Sequence, residues 1–308
     1  MNFTQLENIL MKKIPHAKVE IIGLSVLKRQ IYSISFDLGH KNTVIIQAGI
    51  HAREHITANL VMKQVFEVSE NFEKYKALEI PNLVFVPLSN PDGAELVTKG
   101  LSSVKSFFYK RKLKKINGGS KDFSLFKANA NGVDLNNNFD AKWGRMGDHP
   151  LSASPHGYIG PSPMSEPCTK ALALLTVNTK PIFTISYHTK GEEVYFDFFN
   201  KKENLERDKK IAKMIAKNLR YCIKSTQSYS SGGYKDWCIS KFHIPAVTIE
   251  VGSDSLTHPI AEEFADELYK RNKGIIKLLA KVSKEYENAK RRLDEKSADA
   301  CKKSIQQG

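Results

Sequence analysis

Apolar residues fall into short runs. Residues 43–49 (TVIIQAG), 82–88 (NLVFVPL), 181–187 (PIFTISY) and 245–251 (PAVTIEV) are rich in β-branched side chains and are bounded by turn residues. Runs of this kind read as buried strands. The second ends in the turn signal Asn90-Pro91-Asp92-Gly93. Between the runs the period changes to that of helices. This holds over 54–72, over 203–223 (Leu205, Ile211, Met214, Ile215, Leu219) and over 260–290. Leu6, Ile9 and Leu10 mark a short amphipathic helix at the start of the sequence. The Lys-rich stretch 100–130 shows no firm period and reads as a long surface excursion. The order of strands and helices predicts an α/β fold with a central mixed, mostly parallel sheet flanked by helices. No repeat or linker divides it, so one domain over 1–290 is expected, followed by a charged tail over 291–308 that frays into solvent.

Composition narrows the function classes. The chain has 308 residues, 41% hydrophobic and 26% charged, which is enough apolar material for a core and excludes dominant disorder. The apolar runs are strand-length, well short of the roughly 20 residues a membrane span needs. The formal charge is +14, with its densest run at Lys110 to Lys115 (KRKLKK). Such a run can bind nucleic acid, but no nucleic-acid motif accompanies it. A Lys-rich background is the plainer reading, and an anionic substrate the functional one; neither nucleic acid nor membrane is expected as a partner. The four cysteines, Cys168, Cys222, Cys238 and Cys301, lack CxxC spacing, which argues against a Cys-type zinc site or a disulfide framework. Glu7 interrupts the first apolar residues, and Lys12 and Lys13 follow them, the reverse of an export signal. The expectation is a cytoplasmic protein, with export by an unseen route as the alternative.

Chemistry collects at strand ends. His51-Ala52-Arg53-Glu54 follows the first run, His188 follows the third, and Glu250 lies in the fourth. In open α/β sheets, ligands gather outside the carboxyl ends of strands. His51 and Glu54 can be aimed at one ion by a single turn of chain, with His188 as a third ligand. Two His and one Glu leave a position for water, the pattern of a catalytic zinc site. Glu250 is then a candidate general base. Each residue also has a plainer reading. HxxE recurs by chance, and His55 could belong to the motif. His188 could be a strand-end histidine bonded to backbone, and Glu250 a carboxylate paired with Lys or Arg.

Taken together, AGIHAREHIT, SNPDG, GVDLNNNFD, ISYHTKGE and GGYKDW…PAVTIEVG resemble the zinc carboxypeptidase family, in the family's order and at similar spacings. HTKGE, GGYKDW and TIEVG resemble one branch, the bacterial γ-D-glutamyl-meso-diaminopimelate peptidases. The resemblance implies one Zn²⁺ held by His51, Glu54 and His188, although cobalt or nickel suits the same ligands. It implies Glu250 as the catalytic glutamate and Arg53 as an arginine of the substrate cleft. Lys127 would polarise the scissile carbonyl, its plainer reading being one more lysine of a Lys-rich loop. Asp134 would orient a zinc-binding imidazole, and Asn136 would contact the substrate carboxylate.

Two positions depart from the pattern. The Asn-Arg pair that clamps a terminal carboxylate reads Asn136-Asn137, so Arg145 or a nearby Lys must substitute if the clamp exists. Ser228 stands where a cleft tyrosine is expected, with Tyr229 one residue away. Glu192 or Glu193 is a candidate partner for a substrate ammonium. Asp236 is a candidate for the pocket floor, Gly232 and Gly233 for a tight turn, and Trp237 for core. The implied activity is hydrolysis of the γ-D-Glu–meso-diaminopimelate bond in peptidoglycan stem peptides. The alternatives are a carboxypeptidase on L-peptides, a deacylase of amino-acid conjugates, or an inactive muropeptide-binding module. Oligomeric state is not legible.

Overall fold

In the computed structural model, residues 1–225 and 231–306 are described, with side chains to residue 295. The strands are β1 (Lys18–Leu24), β2 (Gln30–Phe36), β3 (Thr43–Gln47), β4 (Asn82–Val86), β5 (Phe183–His188), β6 (Glu193–Tyr195), β7 (Cys222–Lys224) and β8 (Ala246–Glu250). They form a single mixed sheet in the order β1-β2-β4-β3-β5-β8-β6-β7. Its centre, β4-β3-β5-β8, is parallel. The β1–β2, β2–β4 and β6–β8 pairings are antiparallel, and β6–β7 is parallel. The α/β class and mixed sheet agree with the expectation.

The four apolar runs become β3, β4, β5 and β8. Three of the other four strands lack the same signal for identifiable reasons. β1 is largely solvent-exposed, so no alternation marks it. β6 and β7 are three residues each, too short to show a period.

Ten helices cover the sheet among the described residues: α1 (Phe3–Leu10), α2 (Ile56–Glu70), α3 (Phe72–Ala77), α4 (Pro91–Lys99), α5 (Phe107–Ile116), α6 (Pro167–Thr179), α7 (Lys202–Leu219), α8 (Tyr234–Phe242), α9 (Ala265–Asn272) and α10 (Ile275–Gln306). The helix expected over 203–223 stops at Leu219, where Arg220 turns left-handed (φ 59°) and the chain enters β7. The helix expected over 260–290 is two, α9 and α10. α10 crosses residue 290 without a break and stays helical to Gln306. No described helix is long and apolar enough to cross a membrane.

Side chains alternate across the pleat. Val44 and Ile46 of β3, Phe183, Ile185 and Tyr187 of β5, and Val247 and Ile249 of β8 pack with α2, α7, α9 and α10. The other face meets α6 and α8 through Ala171, Leu172, Trp237, Cys238 and Ile239; Trp237 is core, as its sequence reading favoured. The excursion over 100–130 is corrected in part. It contains α5, and Leu113, Phe123, Phe126, Ala128 and Ala130 are buried in a third cluster with Ala52, Leu96 and Val104. These apolar positions are diluted by lysines, so no continuous run betrays them.

Candidate active site

The site is built where β3, β5 and β8 end. After β3 the chain must turn sharply, and Gly49 does so at φ 60° with its Cα almost against Leu88; a Cβ there would meet Leu88 Cδ1 at 2.7 Å. His51 then precedes a 3-10 turn over Ala52–Glu54. The turn brings the His51 and Glu54 side chains back together, with Nδ1 2.9 Å from Oε1. His188, the last residue of β5, enters from the adjacent strand. Its Nδ1 lies 3.1 Å from Glu54 Oε2 and 3.1 Å from His51 Nδ1. All three side chains are buried.

Two imidazole nitrogens and a carboxylate converging this closely suit a divalent cation. Their ligand atoms lie within 4.8 Å of one another, and the donor set is one that zinc favours. The far nitrogen of His51 fits too. His51 Nε2 lies 3.2 Å from Asp134 Oδ1, an arrangement that presents Nδ1 to an ion. His188 Nε2 is buried without a protein partner. Burial resists charge on Glu54, but the flanking imidazoles hold its carboxyl well below the ordinary value.

Asp134 is shared. Its other oxygen, Oδ2, lies 3.1 Å from Lys127 Nζ. Burial opposes ionisation, yet Lys127 and His51 together keep Asp134 below the carboxylate range. Burial also works against the Lys127 ammonium, but Asp134 and Glu54 together outweigh it and raise the pKa. Lys127 is therefore a fixed cation beside the triad. Its backbone carbonyl accepts from Ala52 N at 3.0 Å, which ties the two segments together.

Glu250 faces His188 across the β5–β8 ladder. Burial pushes its carboxyl up to about 8, against the opposing pull of His188 and Lys127. A cavity of about 530 Å³ opens over these groups, reaching from His51, Lys127 and Glu250 to Asn136, Asn137 and Asp236. Gly232 (φ 82°) lets the chain pass beside Asn137, where a Cβ would meet the Asn137 carbonyl oxygen at 2.5 Å.

The remaining candidates divide. Asn136 lines the cavity, and its Oδ1 accepts from Tyr234 N at 3.1 Å. Asp236 also lines it but is engaged at the start of α8, accepting from Gly233 N and pairing with Lys235 at 2.6 Å. Glu192 is drawn away: it pairs with Arg271 at 2.7 Å and does not line the cavity. Glu193 meets Lys224 at 3.1 Å and Tyr195 Oη at 2.5 Å. Arg53 lies beside the triad without lining the cavity, its Nε buried and unpartnered. His55 turns from the triad toward the Met1 ammonium, 3.2 Å away. Arg145 is exposed and outside the lining. Ser228 and Tyr229 fall outside the described residues. Tyr195, Lys224, Lys235 and Thr248 also line the cavity. Tyr195 and Lys224 escape sequence reading because their strands are too short to show a pattern.

Comparison with known proteins agrees with this geometry. The chain is 34% identical over 268 residues to the γ-D-glutamyl-L-diamino acid endopeptidase 1 of Lysinibacillus sphaericus; the match takes in 82% of this chain and 65% of that protein's length. Its fold is similar to that of bovine thrombin-activatable fibrinolysis inhibitor in complex with tick carboxypeptidase inhibitor (TM-score 0.73, 20% identity, 94% of this chain and 98% of that one). It is also similar to that of the murein-tripeptide amidase of Escherichia coli O157 (TM-score 0.54, 21% identity, 85% and 91%). Residues 5–270 match the zinc carboxypeptidase family. With that match spanning the sheet and all three converging ligands, the chain belongs to the zinc carboxypeptidase family.

Proposed function

We propose that the protein is a zinc metallopeptidase that hydrolyses the γ-D-Glu–meso-diaminopimelate amide bond of peptidoglycan stem peptides. The observation that carries this reading is the buried His51–Glu54–His188 set at one end of a cavity that also holds Glu250 and Lys127. The 34% identity to an endopeptidase named for γ-D-glutamyl-diamino acid bonds supports the choice of substrate.

A zinc ion held by the triad supplies Lewis acidity and a nucleophile near neutral pH. The chain's own groups do the rest. Glu250, in its carboxylate form, takes a proton from the attacking water and passes it to the leaving amine. The Lys127 ammonium stabilises charge that develops on the scissile carbonyl oxygen. Asn136 and Asn137 contact the substrate carboxylate without a guanidinium clamp. Lys224 and Lys235 line the same wall, each already paired with a carboxylate, Glu193 and Asp236.

The test is incubation of zinc-loaded protein with L-Ala-γ-D-Glu-meso-diaminopimelate, read by mass spectrometry beside Glu250→Gln. Release of diaminopimelate by the wild type alone supports bond, enzyme class and base together. No release with one equivalent of metal bound rejects the substrate and moves the search to L-peptides and acylated amino acids.

A further inference from the structure

Helix α5 buries an apolar stripe and exposes its basic residues like an ordinary surface helix, but it also exposes two aromatic side chains. Leu113 is fully buried, and Tyr109 and Ile116 pack against the same cluster. That leaves the other side of the helix outward. Phe107, Arg111 and Lys114 follow one another there at i, i+4 and i+7, and Phe108, Lys112 and Lys115 do the same. The two phenylalanines are 79% and 83% exposed. Between Glu95 and Asp122 the chain carries eight Lys or Arg and no acid. Among the described residues, Lys110, Arg111, Lys114 and Lys115 form no ion pair. The fold thus uses three apolar residues to hold α5 and leaves two aromatics uncovered, framed by unpaired cations.

We propose that this face of α5 attaches the protein to a bilayer surface rich in anionic phospholipid. Charge complementarity selects the occupant. Cations near an anionic leaflet each strengthen attachment roughly fivefold. Exposed aromatics beside them enter the interface between headgroups and acyl chains. A soluble polyanion without stacking bases would satisfy the cations and leave Phe107 and Phe108 in water. No span is required, in keeping with the absence of a helix able to cross a membrane among the described residues. The lobe that carries α5 also contains Ala52 and Ala128, the neighbours of His51 and Lys127, so attachment and site share one packed unit. The proposal stands independently of the peptidase substrate.

The experiment is co-sedimentation of the full chain with phosphatidylcholine vesicles, with and without about 30 mol% phosphatidylglycerol, at about 50 mM and about 500 mM salt. Wild type should bind the anionic vesicles at least about tenfold more tightly than the neutral ones, and lose that advantage at high salt. Phe107→Ser/Phe108→Ser and Arg111→Ser/Lys114→Ser/Lys115→Ser should each weaken binding about tenfold or more. Both keep Tyr109, Leu113 and Ile116, and an unchanged melting temperature confirms their fold. Phe108→Trp reports insertion directly through a blue shift of emission with anionic vesicles, beyond any seen for wild type. Absence of binding to anionic vesicles at low salt overturns the proposal. So does loss on removing the cations but not the phenylalanines, which would assign the face to a polyanion such as nucleic acid.

Discussion

His188 and Glu250 occupy facing positions on the adjacent parallel strands β5 and β8. Both lie on the pleat opposite to Tyr187 and Ile249, whose side chains are locked in the core. The proposed proton acceptor and the proposed metal ligand are thus held in register by the sheet rather than by a loop. Glu250→Gln keeps the shape and removes the proton-accepting carboxylate. Hydrolysis should fall by about 10²–10⁴, with one equivalent of metal still bound. Steady-state rates beside metal analysis of the same sample check this. Loss of metal from the variant would instead make Glu250 part of the ion site.

Asp134 carries two duties, holding His51 through Oδ1 and Lys127 through Oδ2. Asp134→Asn removes the anion that both depend on. Metal affinity should drop about 10–100-fold. Titration against a competing chelator measures it; unchanged affinity would mean that His51 is oriented by other contacts.

Glu250 also predicts a pH dependence of the metal-free protein. Its carboxyl is raised from the ordinary 4.5 to about 8, chiefly by burial. The folded state therefore holds a proton that the unfolded chain releases near 4.5. Stability from this source is fully present below that pH and is lost as pH rises toward about 8. Melting temperatures of the chelated protein should decline over this window. Glu250→Gln should flatten the decline, and an unaltered slope in that variant would assign the proton to another group.

Leu113 tests the lobe that sequence reading left on the surface. It is fully buried between α5 and the segment holding Phe123 and Phe126. Leu113→Ala should cost about 2–5 kcal/mol by opening a cavity. Denaturant unfolding measures this, and a cost near zero would show α5 to be loosely attached.

Sequence by itself determined the frame of this protein. β3, β4, β5 and β8 are buried on both faces, so they must be continuous apolar runs, and such runs are visible residue by residue. The candidate site was legible because His51, His188 and Glu250 are polar residues placed where those runs end, and His51 and Glu54 form the local pattern HxxE.

Only the tertiary structure decided the partners. Glu192 and Glu193 are equivalent in sequence, yet one is taken by Arg271 and the other by Lys224 and Tyr195. Asp236 is drawn to the start of α8 and to Lys235. Lys127 is one lysine among many until Asp134 fixes it beside the triad. Phe107 and Phe108 are left in solvent because Leu113 takes the buried side of α5. The reason is the range of the forces involved. Burial of a strand imposes a periodicity on neighbouring residues, whereas an ion pair or a shared carboxylate joins segments distant along the chain, and no local pattern records which of several equivalent charges the fold brings into contact.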